Sequence, residues 1–209
     1  IHNAGAYACV DGVSYAPHGL PNVPSLGADI YLFSTYKTFG PHQGVLVMSP
    51  ELAFRLPNQG HEFNGGNPTK RFTPAGPDHA QVAAIAGIVD YFEQIDAHHY
   101  PESDPHFVQD RVNAILREQE VLLTTKLLDQ VDRLSRARLL GPSDPSVKAP
   151  TISLCCNRPG IAVARDLADI VIIEGGGDFY CVRVLDAMGI ELNLGVLRLI
   201  LVHYNSMDE

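Results

Sequence analysis

The chain of 209 residues is 45% hydrophobic and 19% charged, enough apolar material for one large domain or two small ones with a substantial core. Its formal charge of −9 argues against a nucleic-acid or anionic-membrane partner, which relies on clustered Lys and Arg, while a local pocket for a small anion stays possible. No apolar run approaches the roughly 20 residues that cross a bilayer, the N-terminus has no signal-peptide pattern, and Cys9, Cys155, Cys156 and Cys181 form no CxxC pair, so a reducing, cytoplasmic setting is expected.

Both ends read as cut. The opening "IHNAGAY" puts Gly5 where a glycine closes a helix whose body is absent. The closing "NSMDE" gives Ser206 and Glu209 the spacing of a capping box. An internal or C-terminal portion of a longer protein is therefore expected.

In chain order, "AYACVD" is an apolar run ending at Asp11, and "DIYLFS" is a second ending at Ser34. The stretch between them suits a short crossover, so the two are expected to pair in parallel. "GVLVMS" follows a short Gly/Pro loop and is expected to return antiparallel. Nearly continuous apolar strands predict a sheet covered on both faces, with ligands outside the carboxyl ends of the strands, where Asp11, Ser34 and Lys37 fall.

Residues 57–77 form a long polar Gly/Pro-rich loop, whose length suggests function or a partner contact. A helix is predicted from Asp78, capped with Gln81 and buried along Val82, Ile85, Val89, Phe92 and Ile95. A longer one is predicted from Ser103-Asp104-Pro105, with Val108, Val112, Ile115, Leu122 and Leu127 inward. Beyond Ser135 short strands and helices alternate, as in a small α+β domain. The expected division is a large mixed-sheet α/β part over 1–100, a linking helix over 101–134 and the small domain over 135–209.

The chemistry centres on "LFSTYKTFGPHQGV", where Lys37 follows an apolar strand. A free lysine, with pKa ~10.4, is protonated at neutral pH. Burial or a nearby cation would free the amine to add to a carbonyl. With hydroxyls at Ser34 and Tyr36 and an acid at Asp11, the groups match an aldehyde cofactor with a phosphate and a ring nitrogen. On spacing alone, a solvated loop lysine remains the alternative.

The blocks "VDGVSYAPH", "ADIYLFSTYKTFGPHQGVL", "RFTPAGPDHA" and "GVLRLILVHYNS", in that order, resemble the class V aminotransferase family of pyridoxal-phosphate enzymes, in particular its cysteine desulfurase-like branch. The resemblance covers most of the chain and is weakest over residues 100–150. It implies the cofactor pyridoxal 5'-phosphate, a Schiff base on Lys37, a small amino-acid substrate and a homodimer. It also implies that Lys37 moves protons at the substrate α-carbon, that Asp11 pairs with the pyridinium nitrogen, and that Ser34 contacts the phosphate. Tyr36 stands where desulfurases usually have a phosphate-binding His, and Ser14 where they have a Gln near the phenolic oxygen. Thr73 and Gly76 of "TPAGP" would reach the partner subunit's phosphate. Arg198 would grip the substrate carboxylate.

Sulfur chemistry is where the pattern departs. In "GGGDFYCV", Tyr180 falls near the cysteine of the desulfurases and Cys181 one place later, a rotation of ~100° on a helix. Cys181 can equally be a small packed apolar residue. Transamination, β-elimination and desulfuration all stay open, and so does a catalytically silent or cofactor-free domain that keeps the fold.

Cys155 and Cys156 read as strand-end packing, and His98 and His99 as a surface pair at a helix end. His18 and His42 read as structural, and Gly175 to Gly177 as a flexible turn.

Overall fold

The computed structural model describes every residue except Ser103. Contacts divide the chain into two compact units, Ile1–Ala114 and Ile115–Glu209.

In the first unit, β1 (Cys9–Asp11) pairs in parallel with β2 (Ile30–Ser34), which pairs antiparallel with β3 (Gly44–Met48). Asp11 lies opposite Leu32, so Ser34 is two residues further toward the same strand ends. The crossover contains 3-10 turns at Ala16–His18 and Pro24–Leu26. The expected cover on both sheet faces does not hold within this chain: all three residues of β1 are exposed, as is Leu46 of β3. Only β2 has a strand on each side, and its Tyr31 is the sheet's buried residue.

A short helix α1 (Pro50–Arg55), capped by the Ser49 side chain, leads into the polar loop. That loop is organised around Arg71, which is buried. Its guanidinium donates to the carbonyls of Gly65 (2.5 Å) and Leu56 (2.6 Å), and its own carbonyl accepts from the amides of Gln59 (2.7 Å) and Gly60 (2.8 Å). The face of Phe54 lies 5.3 Å from the guanidinium carbon.

Asp78 does cap a helix, accepting from the Gln81 amide at 3.1 Å. The helix divides, however, into α2 (His79–Ala84) and α3 (Ala86–His99). The buried side is Ile88, Phe92 and Asp96, while Val82 and Val89 face solvent. Of the expected stripe, Phe92 is buried and Ile85 and Ile95 are half-buried, while Asp96 also takes an inner position, held by two charge-assisted bonds from Arg111, each 2.6 Å.

The expected start of the next helix at Ser103 lies outside the described residues. Asp104 caps a 3-10 turn, Pro105–Phe107, that runs into α4 (Val108–Val131). Its buried positions are Val112, Leu116, Glu120, Leu123, Thr124, Leu128 and Val131, a 3–4 residue spacing, with Leu122 exposed. Among the described residues no helix is long and apolar enough to cross a membrane.

The second unit is a four-stranded antiparallel sheet in the order β4 (Ala137–Leu140), β5 (Thr151–Cys156), β7 (Val196–Ile200), β6 (Gly175–Gly177). One face packs Ile152, Leu154 and Leu197 with Leu128, Val131 and Ala164, the last from α5 (Gly160–Ala168). Opposite lies a cluster of Leu185, Ile190 and Val196, with Leu185 from α6 (Val182–Ala187). Cys156 packs on the first cluster and Cys155 on the second, as strand neighbours must.

The three glycines form an edge strand rather than a flexible turn. A Cβ on Gly176 would lie 2.2 Å from the Gly160 backbone, so only glycine lets α5 approach this strand.

Arg71→Leu leaves the carbonyls of Leu56 and Gly65 without their donor, at a cost of about 1–3 kcal/mol. Amide exchange at Gln59 and Gly60 is expected to accelerate roughly ten-fold or more; unchanged exchange would mean that the loop is held by other contacts.

Candidate active site

The carboxyl ends of β1 and β2 bring Asp11, Ser14, Ser34, Tyr36 and Lys37 to one edge of the first unit's sheet. Asp11 is exposed, and its Oδ1 accepts the Val13 amide at 2.9 Å, an Asx turn that fixes the carboxylate at the end of the strand. A Cβ on the following Gly12 would sit 2.0 Å from the hydroxyl oxygen of Tyr31, so a larger residue there would have to displace that buried side chain. That hydroxyl is buried without a hydrogen-bond partner among the described residues. Burial first, then the nearby charges of Tyr15 and Asp11, push the Tyr31 phenol above its ordinary pKa.

Lys37 ends a 3-10 turn, Thr35–Lys37, in the connection between β2 and β3. Two threonines that flank the lysine closely, Thr35 and Thr38, are both fully buried. The Thr35 amide donates to the Gln43 carbonyl at 2.8 Å, and its hydroxyl lies within reach of the carbonyls of Gln43 (3.1 Å) and Pro41. The Thr35 carbonyl accepts from the amides of Thr38 (2.8 Å) and Gly40 (2.9 Å), and the Thr38 hydroxyl donates to the Ser34 carbonyl at 3.2 Å. Phe39 is held at a φ of 62°, a left-handed conformation unusual for a bulky residue, with its ring 5.3 Å from that of Tyr91.

This fixed turn leaves Lys37 exposed. Its amine lies 6.0 Å from the ring centre of Tyr36 and makes no hydrogen bond or ion pair among the described residues. Tyr36 stacks on His42, the rings 4.9 Å apart and 6° from parallel.

The donor chemistry suits an aldehyde cofactor bearing a phosphate and a ring nitrogen. A primary amine, a carboxylate with one oxygen uncommitted and the hydroxyls of Ser14 and Ser34 are unconsumed by protein partners among the described residues. Thr73 and Gly76 lie in and just after the Arg71-centred stretch. The Thr73 amide donates to the Lys70 carbonyl at 3.1 Å, and no hydrogen bond joins either residue to the Lys37 turn among the described residues.

In the second unit Arg198 sits on β7 between Ser153 of β5 and Gly175 of β6. Its Nε is buried without a hydrogen-bond partner among the described residues. Glu174 is near: burial raises its carboxyl pKa, opposed by the Ile200 amide (3.4 Å) and the charge of Arg198. Cys181 precedes α6, exposed, with its sulfur 3.4 Å from the Phe179 carbonyl, while the Tyr180 side chain is wholly in solvent.

The structural residues Thr35, Thr38 and Arg71 did not stand out in the sequence. The alternation of hydroxyls around Lys37 was the available signal for the threonines; Arg71 carried none beyond being one of two adjacent cations, with Lys70, in a polar loop.

Solved structures share this fold. The cysteine desulfurase CsdA of Escherichia coli aligns with a TM-score of 0.75 at 21% identity, over 99% of this chain and 49% of that one. The cysteine desulfurase of Thermococcus onnurineus gives 0.73 at 24% identity, over 99% and 50%. Among curated proteins, the aminotransferase-like protein FGM3 of Gibberella zeae is 30% identical over 98% of this chain and 49% of its own length. The cysteine desulfurase-like protein ustD of Aspergillus flavus is 27% identical over 98% and 45%. The chain thus spans about half the length of the curated relatives it matches. The family model described as aminotransferase class-V matches residues 1–209, and the chain belongs to that family.

Proposed function

We propose that this chain is the lysine-bearing part of a pyridoxal-phosphate-dependent enzyme acting at the α-carbon of a small amino acid. The supporting observation is the meeting of Asp11, Ser34 and Lys37 at the carboxyl ends of two adjacent parallel strands, with the lysine on a turn fixed by Thr35. Members of the class-V family use pyridoxal phosphate. When bound, that group supplies an aldehyde for an amine and a ring that accepts electron density from the α-carbon.

Each residue has a separate task. Lys37 would hold the cofactor aldehyde through its amine, and the same amine would serve to move the α-carbon proton. The Asp11 carboxylate keeps a ring nitrogen protonated by placing a negative charge beside it. Ser34 donates its hydroxyl to the phosphate, with Tyr36 as a second donor in place of the histidine usual in desulfurases. Ser14 would stand near the phenolic oxygen, in the place where desulfurases have a Gln. Arg198 takes the amino-acid carboxylate in its two-pronged fork. In a homodimer, Thr73 and Gly76 would reach the phosphate of the neighbouring subunit. Residues 1–100 then serve as the cofactor-binding part and 135–209 as the small domain, joined by the helix between. Transamination, β-elimination and desulfuration share the α-carbon proton step.

Adding pyridoxal phosphate to the protein is expected to give a Schiff-base absorption band that Lys37→Ala abolishes. A band unchanged in the variant would contradict the role of Lys37, and a chain that binds no cofactor would favour the silent-domain alternative. Thr35→Val removes the hydroxyl that ties the turn to the Pro41 and Gln43 carbonyls, costing about 1–3 kcal/mol. Its denaturation midpoint should fall and its band should form more slowly; a normal rate would mean that the turn does not position the amine.

A further inference from the structure

The guanidinium of Arg198 lies against a ring, while the nearby Glu174 carboxylate feels its charge without forming a salt bridge with it among the described residues. The guanidinium carbon lies 3.9 Å from the ring centre of Phe179, close enough for a cation–π contact. Gly175 faces Arg198 across the β6–β7 ladder, so their side-chain positions share one face of the sheet. Having no side chain, Gly175 leaves the space beside Arg198 open, and the Phe179 ring fills it: a Cβ there would sit 2.9 Å from the ring. The ring is anchored against the cluster of Leu185, Ile190 and Val196.

The backbone is bent to deliver this ring. Phe179 and Tyr180 both adopt left-handed conformations, φ 51° and 64°, unusual for two consecutive aromatic residues. Asp178 holds the bend: its side chain accepts from the Tyr180 amide and its carbonyl from the Cys181 amide, each at 2.8 Å. A strained turn kept in place over a strand with no Cβ to fill the gap points to a positioning task.

We propose that Phe179 is the positioning residue for Arg198: its ring fixes the guanidinium plane while leaving the donors for an amino-acid carboxylate. A carboxylate partner in that place would neutralise the guanidinium and occupy its fork; an aromatic face orients it and takes up none of its N–H groups. The turn through Tyr180 and Cys181 is thereby tied to the carboxylate site, so Tyr180, Cys181 and the bound carboxylate respond to one another. This rests on the reading of Arg198 as the carboxylate-binding residue.

The test is titration calorimetry of L-alanine into the chain saturated with pyridoxal phosphate. Phe179→Leu is expected to weaken binding about ten-fold, and Phe179→Tyr, which keeps the aromatic face, to remain within about two-fold. Gly175→Ala displaces the ring while leaving Phe179 in the sequence and should weaken binding in the same direction. The chain has no tryptophan, so Phe179→Trp also places one fluorophore on the guanidinium, and its emission should differ with and without Arg198→Ala. Arg198→Ala losing affinity while Phe179→Leu and Gly175→Ala bind like the parent overturns the positioning role alone. L-Alanine binding unaffected by Arg198→Ala, or absent from the parent, overturns the carboxylate reading and this role with it.

Discussion

The fully buried Thr35 is the constraint on which the proposed chemistry depends. Through its amide, hydroxyl and carbonyl it ties the end of β2 to Pro41, Gln43, Thr38 and Gly40. A lysine on a loose hairpin connection would spend most of its time in water in many rotamers. Here the backbone beneath it is set by bonds inside the protein, and only the long side chain remains free. Parallel pairing of β1 with β2 then does the rest, because both strands end on the same side and Asp11 arrives beside Ser34 without further machinery.

The second unit solves a comparable problem with a different device. Arg198 lies in a sheet, a rigid element, and its side chain is steadied by the Phe179 ring over a glycine strand. The three glycines do two jobs there. Gly176 admits the α5 backbone on one face, and Gly175 admits the aromatic ring on the other. Both sites use local order to hold a cationic side chain that makes no hydrogen bond or salt bridge among the described residues.

Strands β1 and β2 were legible in the sequence because each was a compact apolar run ending in a polar residue of the proposed site, Asp11 and Ser34. The parallel and antiparallel pairings followed from connection length alone. The helix faces were harder to read, for one physical reason. Asp96, Glu120 and Thr124 occupy buried positions that a hydrophobic pattern assigns to apolar residues, so the expected stripes held at Phe92 and Val112 but missed at Val82, Val89 and Leu122. Asp96 is tolerated inside because Arg111 meets both its oxygens. The glycine run gave no hint of its strand, since glycine carries no strand propensity; only the close approach of α5 and Phe179 explains it. Lys37 was found through its neighbours, and Thr35, which holds it, was hidden by looking like an ordinary hydroxyl.

The central claim is that Lys37, alone among the four lysines Lys37, Lys70, Lys126 and Lys148, is the amine that takes the cofactor aldehyde. Borohydride reduction of the protein mixed with pyridoxal phosphate, followed by peptide mass mapping, reads this directly. The account predicts a single phosphopyridoxyl group on Lys37. A label spread over Lys70, Lys126 and Lys148, or absent from Lys37, would contradict it.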